Sequence, residues 1–504
     1  MAETFLHGVE VIELTTGPRP IRTLRSSVIG IVGTAPGAAG ATAASLALGL
    51  VAANSGLTVT AVTAGADGNG IAITVVNPAT ASQTLAVSVT GTDITVTLGT
   101  DGTGAPDSTA DEVSGAIAGD VDAAALVTVT NAAGSDGSGI LAPSIRTRLA
   151  GGSDEPFPVN TPVLVAGSRR EAAALGDTGT LPAALDGIFD QGGAAVVVVR
   201  VAEGADDPAT TANVIGGVNT GTGNLEGVHA LLAAEGALGV QPRILCATGW
   251  THQRDGTANA VVAEMVGIAE RLRAVIVADG PSTIDADAIA YRGDWGSDRV
   301  YVIDPFVKVS RDGVIVTEPA SARVAGIIAR TDAEQGFWHS PSNKAINGIV
   351  GTARPIDFKL GDINSRANLL NEREVTTIIR ESGFRLWGNR TTSADPKFAF
   401  LSVRRTADLI ADSLQRAHLW AVDRNITKTY VEDVTEGVNA YLASLQAQGA
   451  ILGGTCWPDP DLNTPQNIAQ GKVFFNFDFR PPTPAEHITF RSEINDDYIA
   501  EVFS

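Results

Sequence analysis

From residue 162 onward, short apolar runs alternate with stretches of helical period, and this alternation narrows the choice of fold more than any other feature. The runs lie at residues 163–165, 194–201, 243–247, 274–278 and 300–305, with an earlier one at 27–34. Helices are predicted between them at residues 169–175, 182–190, 225–234 and 259–271. Strands that are apolar throughout are typical of a parallel sheet covered by helices on both faces. The sequence therefore predicts an α/β protein with a doubly wound central sheet.

Residues 41–152 differ sharply in composition from the rest of the chain. They include no Phe, Tyr, Trp or Lys, and nine acidic residues against two arginines give this block a net charge of −7. Alternating apolar positions predict strands at residues 71–75, 85–89, 94–98 and 126–130. A small β-rich domain, in the form of a modest sandwich inserted into a loop, is the structure that this pattern favours.

One helix is predicted inside this block, between its last two strands. Thr109 and Glu112 have the spacing of a capping box. Val113, Ile117 and Val121 follow at intervals of four residues, so they are expected to share one apolar face.

The last third of the chain mixes strands and helices. A hairpin is predicted at residues 308–317 about the Asp312-Gly313 turn. Further strands are predicted at residues 375–379, 384–387 and 472–479, and helices at residues 404–422 and 427–447.

Both ends of the chain are predicted to be extended. The apolar positions that could pair and pack there are Val9, Val11 and Leu14 near the start, and Ile488, Phe490, Ile494, Tyr498 and Val502 near the end. A terminal strand with this much apolar surface must pair with something, because an open edge promotes aggregation. The partner is either the chain's own sheet or the sheet of a neighbouring subunit.

Charge and composition exclude several classes of function. The formal net charge is −21, whereas nucleic-acid binding requires a basic face that offsets phosphates. No apolar run reaches the 18 residues of a membrane span, and no secretory signal is expected at the start of the chain. Cys246 and Cys456 are predicted to be buried core residues of a protein folded in a reducing compartment.

Three separated motifs carry a family resemblance: residues 340–344 (SPSNK), residues 364–371 (NSRANLLN) and residues 383–391 (GFRLWGNRT). Together they closely resemble the C-terminal half of the contractile tail sheath proteins of bacteriophages and R-type bacteriocin particles. The likeness extends through residues 26–35, 157–319 and the C-terminal segment, and it omits only the block near the N-terminus. Deleting that block would join residues 35–37 to residues 156–165, where the likeness resumes.

The resemblance implies a domain organisation and a fold. It implies a subtilisin-like central sheet, an inserted β-rich domain on the outer surface, and an α+β C-terminal domain with extended arms. The predicted bounds are residues 1–25 for the N-terminal arm, 26–40 and 153–335 for the α/β sheath domain, 41–152 for the insert, 336–483 for the C-terminal sheath domain and 484–504 for the C-terminal strand arm.

The resemblance also implies a mechanical function. Sheath subunits exchange arms with neighbours, stack as hexameric rings around an inner tail tube, and contract to drive the tube through the bacterial envelope. The implied partners are further copies of the chain, the tube protein, and baseplate and tail terminator proteins, in a virion tail assembled in the host cytoplasm. Candidate tube-facing residues are Arg404, Arg405, Arg416 and Arg424, although a solvated helix face explains them equally well.

Catalytic chemistry is not predicted. The histidines are His7, His229, His252, His339, His418 and His487. His252, which follows a strand end, is the best placed of them for catalysis and His339 is next, but all six are interpreted as structural or surface residues. No Gly-x-Ser-x-Gly elbow accompanies His252, and neither a His-Glu-x-x-His motif nor a Cys pair indicates a metal. Glycine-rich residues 65–70 and 134–139 are interpreted as turns, since no P-loop Lys follows them. Catalytic, cofactor-binding and metal-binding residues are therefore all predicted to be none.

Other functions remain as alternatives at the level of sequence. A tailocin or another contractile injection or secretion system would use the same kind of sheath. A diverged subtilisin-like hydrolase would need a pocket holding serine, histidine and an acid. A monomeric surface adhesin would use the insert as its binding module.

Overall fold

The computed structural model describes the backbone of residues 21–503 and the side chains of residues 21–499. The chain forms two compact units, which are described in turn. One unit comprises Gly37–Pro158 with Ala174–Gly176, and the other contains the remaining described residues.

A six-stranded sheet forms the centre of the larger unit. In order across the sheet, its strands are Val300–Ile303, Val275–Asp279, Ile244–Cys246, Ile29–Thr34, Ala195–Val201 and Pro162–Ala166. The first five are parallel, and Ile29 lies opposite both Val196 and Ile244. The mostly parallel α/β sheet predicted from the apolar runs is confirmed.

The edge strand Pro162–Ala166 runs antiparallel to its neighbour, unlike the parallel strand predicted at residues 163–165. An apolar run reports that a strand is buried but not the direction in which it pairs. An edge strand has one neighbour only, and its first residue can be a proline because no second strand needs that N–H.

Helices cover both faces of this sheet. Val32, Val199 and Ile276 pack with helix Ala260–Leu272 in one apolar cluster, and helices Leu181–Phe189 and Ser321–Glu334 contact the sheet strands as well. The other helices of the sheet region are Arg169–Ala172, Asp207–Ile215, Ala234–Leu238 and Asp285–Gly293.

The helix predicted at residues 225–234 is wrong. Leu225–Glu226 is a short strand paired with Gly217–Val218, and a 3-10 helix covers Gly227–Ala233. Gly227 has a φ of 58°, a left-handed conformation that interrupts any continuous α-helix at this point.

The hairpin predicted about Asp312-Gly313 is confirmed. Strands Val307–Arg311 and Val314–Glu318 pair antiparallel, and both turn residues have positive φ. A two-residue turn of this kind matches the twist of the strands that it joins.

In the rest of the larger unit, the strands predicted at residues 375–379, 384–387 and 472–479 and the helix predicted at residues 427–447 are present with small shifts at their ends, whereas strand Gly454–Pro458 and helices Arg366–Glu372 and Pro465–Ala469 were not predicted. Strands Thr377–Arg380 and Phe384–Trp387 pair antiparallel, as do Gly454–Pro458 and Phe475–Phe479. The helices are Arg366–Glu372, Leu401–Ala417, Lys428–Ala447 and Pro465–Ala469. The helix predicted at residues 404–422 ends earlier, at Ala417, and is followed by a 3-10 turn at Leu419–Ala421. These elements belong to the same compact unit as the central sheet, so the domain division at residue 336 remains a prediction.

The smaller unit contains two sheets and two short helices. One sheet has the order Ser45–Leu48, Leu57–Ala61, Val127–Asn131, and the other has the order Ala86–Thr90, Asp93–Thr97, Ala72–Val76, Ser144–Arg148. Helix Ala110–Gly119 begins with the predicted capping box, in which the Thr109 and Glu112 side chains each bond the other's backbone N–H. Buried Val113 and Ile117 belong to a shared aliphatic core.

The placement of Val121 on that helix face is wrong, because its side chain is 84% exposed. The helix ends at Gly119, and Asp120 caps a second helix, Val121–Leu126, with a new orientation. The two ends of the smaller unit meet at Thr42 and Ser153, whose backbones exchange hydrogen bonds of 2.9 and 3.2 Å.

Candidate assembly surfaces

The carboxyl ends of the parallel strands are where an α/β enzyme would bind its substrate, but Asp279 at this edge has a structural role. Its fully buried carboxylate accepts hydrogen bonds from the Ala320 and Ser321 backbone N–H groups at 2.8 Å and from Ser321 Oγ at 2.5 Å. These donors begin helix Ser321–Glu334, so Asp279 caps that helix.

The best-placed histidine is not arranged for catalysis. His252 packs edge-on against Phe306, with ring centroids 5.2 Å apart, and burial lowers its pKa. Among the described residues, no hydrogen bond links His252 to a serine or a carboxylate. Asp304, the other acid at this edge, is paired with Arg354 and accepts the Ser282 N–H at 2.7 Å. Within the described residues, no group of three or more metal-binding side chains converges.

Asp279 makes the stability of the fold depend on pH. Burial raises the pKa of its carboxyl from 3.8 to about 6. A folded-state pKa above the unfolded value means that ionisation costs stability at neutral pH, and that this cost diminishes as pH falls through 6. The free energy of unfolding, relative to that of the non-titrating Asp279→Asn variant, is therefore expected to rise by about 1 kcal/mol between about pH 7 and about pH 5.

Urea unfolding of both proteins across that range measures the difference directly. Asp67→Asn, a change at an exposed acid of the smaller unit, is the matched control. If the free energy of unfolding of the wild type, relative to that of Asp279→Asn, stayed constant or fell as the pH was lowered, the raised pKa assigned to Asp279 would be contradicted.

A two-stranded sheet near the C-terminus has two edges that no described strand occupies. Its strands are Gly454–Pro458 and Phe475–Phe479, and within residues 21–503 each pairs with the other alone. Cys456 and Phe479 pack against the apolar core beneath helix Lys428–Ala447, whereas Trp457 on this sheet remains exposed. Isolated two-stranded sheets are marginally stable in water, so additional strands would stabilise this one.

The C-terminal tail presents exposed apolar side chains. The exposed fractions are 67% for Ile488, 92% for Phe490, 94% for Ile494 and 69% for Tyr498. Among the described residues of the tail none forms a strand, and a 3-10 helix covers Asp496–Phe503. The strand predicted for residues 484–504 needs a partner to pair with and stays a prediction. A strand requires a pairing partner, and none of the described residues provides one. The side chain of Val502, together with Val9, Val11 and Leu14, lies outside the described residues.

Two of the four arginines predicted to face a tube are engaged inside the subunit. Arg405 is buried, and its guanidinium donates to both carboxylate oxygens of Asp332 at 2.7 and 2.6 Å. Arg404 pairs with Asp298 and Asp408 and lies 4.3 Å from the centre of the Phe398 ring. Neither guanidinium is available as a free surface cation.

The other two arginines lie on the surface. Arg416 pairs with Glu235, and both side chains are about half exposed. Arg424 stacks on Trp420, 5.2 Å from the ring centre. Of the four candidates, Arg416 and Arg424 are the pair that a binding partner could reach.

A network of buried ion pairs on helix Leu401–Ala417 was missed from the sequence. Arg299 donates to both oxygens of Asp408 at 2.8 and 3.1 Å, and Asp412 pairs with Arg243 and Arg273. Burial raises the pKa of Asp412. Two acids four residues apart on one helix face were the available signal, because acids that become buried need cations beside them.

These features define an α/β protein with open strand edges and an exposed apolar tail. Residues 223–392 match the phage tail sheath protein central domain, and residues 393–495 match the phage tail sheath C-terminal domain. Residues 126–201 match the N-terminal region of domain III of tail sheath protein Gp18.

Curated relatives carry the same description. A putative prophage major tail sheath protein of Pseudomonas aeruginosa (strain UCBPP-PA14) is 46% identical over 346 residues, which cover 68% of this chain and 88% of that protein. The tail sheath protein of Escherichia phage P2 is 37% identical over 69% of this chain and 88% of its own length. That of Burkholderia phage BcepMu is 31% identical over 99% of this chain and 98% of its own length. The chain belongs to the phage tail sheath protein family.

Solved structures of contractile particles share the fold. The helical sheath of the anti-feeding prophage in the contracted state has a TM-score of 0.52 and 22% identity, covering 67% of this chain and 89% of that chain. The sheath complex of an extracellular contractile injection system, PVC, in the contracted state has a TM-score of 0.52 and 18% identity, covering 68% and 89%.

Proposed function

We propose that this protein is the subunit of a contractile tail sheath that polymerises as stacked hexameric rings around an inner tail tube. Contraction of the sheath drives the tube through the bacterial cell envelope. The observation that carries this proposal is the open two-stranded sheet, Gly454–Pro458 with Phe475–Phe479, in a chain that also has an exposed apolar tail. Membership of the tail sheath family and the fold shared with contractile particles support it.

The arms link subunits by strand addition. Val9, Val11 and Leu14 in one arm, and Ile488, Phe490, Ile494, Tyr498 and Val502 in the other, supply the apolar side chains that pack on a neighbour's sheet. Main-chain hydrogen bonds hold such a joint in register, and alternate side chains fill the pockets beside it. Each arm thus covers apolar surface and an open edge at the same time.

Contraction requires subunit interfaces with two discrete packings, of which the contracted one has the lower free energy. The energy is stored in the extended lattice, so no nucleotide or cofactor is consumed. The mostly parallel central sheet corresponds to the subtilisin-like sheet of the sheath family, and it moves as a rigid body between the two packings.

The proposed partners follow from the similarity to tail sheath proteins. Arg416 and Arg424 are the candidate contacts to the inner tube, and baseplate and tail terminator proteins bind the two ends of the sheath. The protein acts in a virion tail that is assembled in the host cytoplasm. The net charge of −21 disfavours nucleic acid as a partner, and within the described residues no helix combines the length and apolar character that a membrane crossing requires.

A tailocin or an extracellular injection system is the second candidate setting. The similarity to a prophage protein and to the sheaths of the anti-feeding prophage and PVC favours it. The subunit would work in the same way in either setting.

Electron microscopy of the purified protein tests the proposal. Rings or hollow striated tubes are expected. Featureless, monodisperse particles at every concentration and salt condition would overturn the proposed function.

The inserted domain, residues 41–152, is proposed to lie on the outer surface of the sheath. The Pseudomonas aeruginosa relative is nearly covered by a match to 68% of this chain, so it is shorter by roughly the size of such an insert. Deleting residues 41–152 is expected to leave tube formation intact. Because Thr42 pairs with Ser153, residues 40 and 153 lie near each other, and a short linker can close the gap.

Electron microscopy and circular dichroism of the deletion variant check this expectation. The matched control is a linker inserted between Gly91 and Thr92, at an exposed turn inside the inserted domain. It changes the inserted domain but leaves the chain on either side of it unaltered. A deletion variant that is insoluble or unfolded would show that the insert supports the fold of the rest.

A further inference from the structure

Helix Leu401–Ala417 lies beside the two places where the terminal segments join the body of the subunit. These places are residues 21–26 and Glu486, and they are called the N-terminal root and the C-terminal root. We propose that this helix is the mechanical link between the two arms, and that Ser26 and Glu486 are positioning residues that fix where each arm leaves the subunit. The inference rests on the proposed function, in which the arms bind neighbouring subunits.

The N-terminal root contacts this helix at Arg405, near its N-terminal end, and at Ser413, near its C-terminal end. Ser26 Oγ donates to Asp332 at 2.6 Å, and Arg405 donates to the Ser26 carbonyl at 3.1 Å as well as to Asp332. The Leu24 N–H donates to Ser413 Oγ at 3.3 Å. Both Arg405 and Asp332 are buried, so this clamp is screened little by solvent.

Apolar contacts strengthen the same root. Ile21 and Leu24 pack on the cluster that contains Leu409, Leu414 and Tyr441. A hydrogen bond of 3.1 Å joins Thr23 to the Tyr441 hydroxyl. The chain is therefore held against two helices over residues 21–26, which include the last five residues of the predicted arm, 1–25.

The C-terminal root is attached to the N-terminal end of the helix. Arg390 forms two hydrogen bonds with Glu486, at 2.8 and 2.6 Å, and its guanidinium lies 5.1 Å from the centre of the Phe400 ring. Phe400 is the N-cap residue of the helix and forms a β-bridge with Arg390. Past Glu486, the described tail makes hydrogen bonds only within itself.

The contacts of the two roots thus span about 13 residues of one helix, from Phe400 to Ser413, or about 20 Å along its axis. Arg405, which holds Ser26, lies nearer the other root, roughly 7 Å along the axis from Phe400. Ion pairs from Asp408 and Asp412 fasten the same helix to Arg299 and Arg243 of the central-sheet region. A pull that enters through one arm can reach the other arm along this helix, without deforming the sheet. If a root were not held in place, its arm would sample many orientations. The entropy lost when that arm is ordered on a neighbouring subunit would then oppose assembly.

The experiment compares full-length Glu486→Gln and Ser26→Ala with matched controls. Glu493→Gln changes an exposed acid further along the same tail, and Ser27→Ala changes the serine beside the clamp. For each protein, the threshold concentration for sheath formation is measured by sedimentation, and the urea midpoint of the unassembled subunit by fluorescence.

Glu486→Gln and Ser26→Ala are each expected to raise the threshold concentration about fivefold, the effect of losing one partly exposed ion pair or one hydrogen bond to a charged group. The urea midpoint of the subunit is expected to stay unchanged for Glu486→Gln, and both controls should assemble like the wild type. The charge-swapped double variant Arg390→Glu/Glu486→Arg is expected to recover most of the loss.

An unchanged threshold for Glu486→Gln, or an equal effect of Glu493→Gln, would overturn the inference while leaving the proposed function standing. A double variant no better than Glu486→Gln would also count against it. A wild-type protein that never assembles would overturn the proposed function, and this inference with it.

Discussion

A chain lacking residues 487–504 is expected to remain a folded, soluble subunit that forms no tubes. The removed segment makes no described hydrogen bond to the body of the protein, and its apolar side chains are exposed, so folding loses little. In the proposed assembly, the sheath loses one of its two arms, and with it both the strand pairing and the apolar burial that would join neighbours. Electron microscopy and sedimentation should show single subunits at concentrations where the wild type is fully polymerised.

The control for this truncation keeps the length of the tail and changes its chemistry. Replacing Phe490 and Ile494, the most exposed apolar residues of the tail, by serine should weaken assembly strongly without shifting the unfolding midpoint. Tubes of normal length from the truncated chain would refute the arm model for this end of the protein. A truncated chain that unfolds would show that the tail belongs to the subunit's own core.

The largest effect on stability is expected from Asp408→Ala. Asp408 is buried and accepts hydrogen bonds from Arg299 and Arg404, and Arg299 is itself largely buried. Removing the carboxylate leaves Arg299 as a buried cation whose only remaining described acceptor is the Ala274 carbonyl, at 3.1 Å. Leaving a buried charge unpaired lowers the free energy of unfolding by about 3–5 kcal/mol.

Equilibrium urea unfolding of the unassembled subunit measures this loss. The matched control is Glu432→Ala, because Glu432 pairs with Lys428 at 3.6 Å on an exposed helix face. That change should cost no more than about 0.5 kcal/mol. A loss below about 1 kcal/mol for Asp408→Ala would mean that water or another group satisfies Arg299.

Local chemistry made several elements predictable from the sequence. Asp312-Gly313 between two apolar runs specified a hairpin, because both residues accept positive φ. Thr109 and Glu112 specified the start of a helix through their side-chain hydrogen bonds to the backbone. In each case the signal and the structure that it predicts lie within a few residues of each other.

Features set by distant contacts could not be predicted in this way. Helix Ser321–Glu334 has most of its residues buried, including Arg323, so the polar face that marks an amphipathic helix is missing. Nothing in the sequence around Arg405 distinguishes it from a surface cation. It is buried because it pairs with Asp332, which lies more than seventy residues earlier in the chain. The strand partners of the terminal arms belong to other copies in the proposed assembly, so no single chain can reveal them.

The narrow neck at Thr42 and Ser153 has an evolutionary consequence. Since the two backbones leave and re-enter side by side, a foreign module could replace the intervening 110 residues or so without changing the spacing of the flanking chain. Viruses under selection from host defences could exchange this module as a cassette, while the parts that generate force stay constant. The same neck offers a grafting position for an affinity tag or an enzyme on an engineered particle.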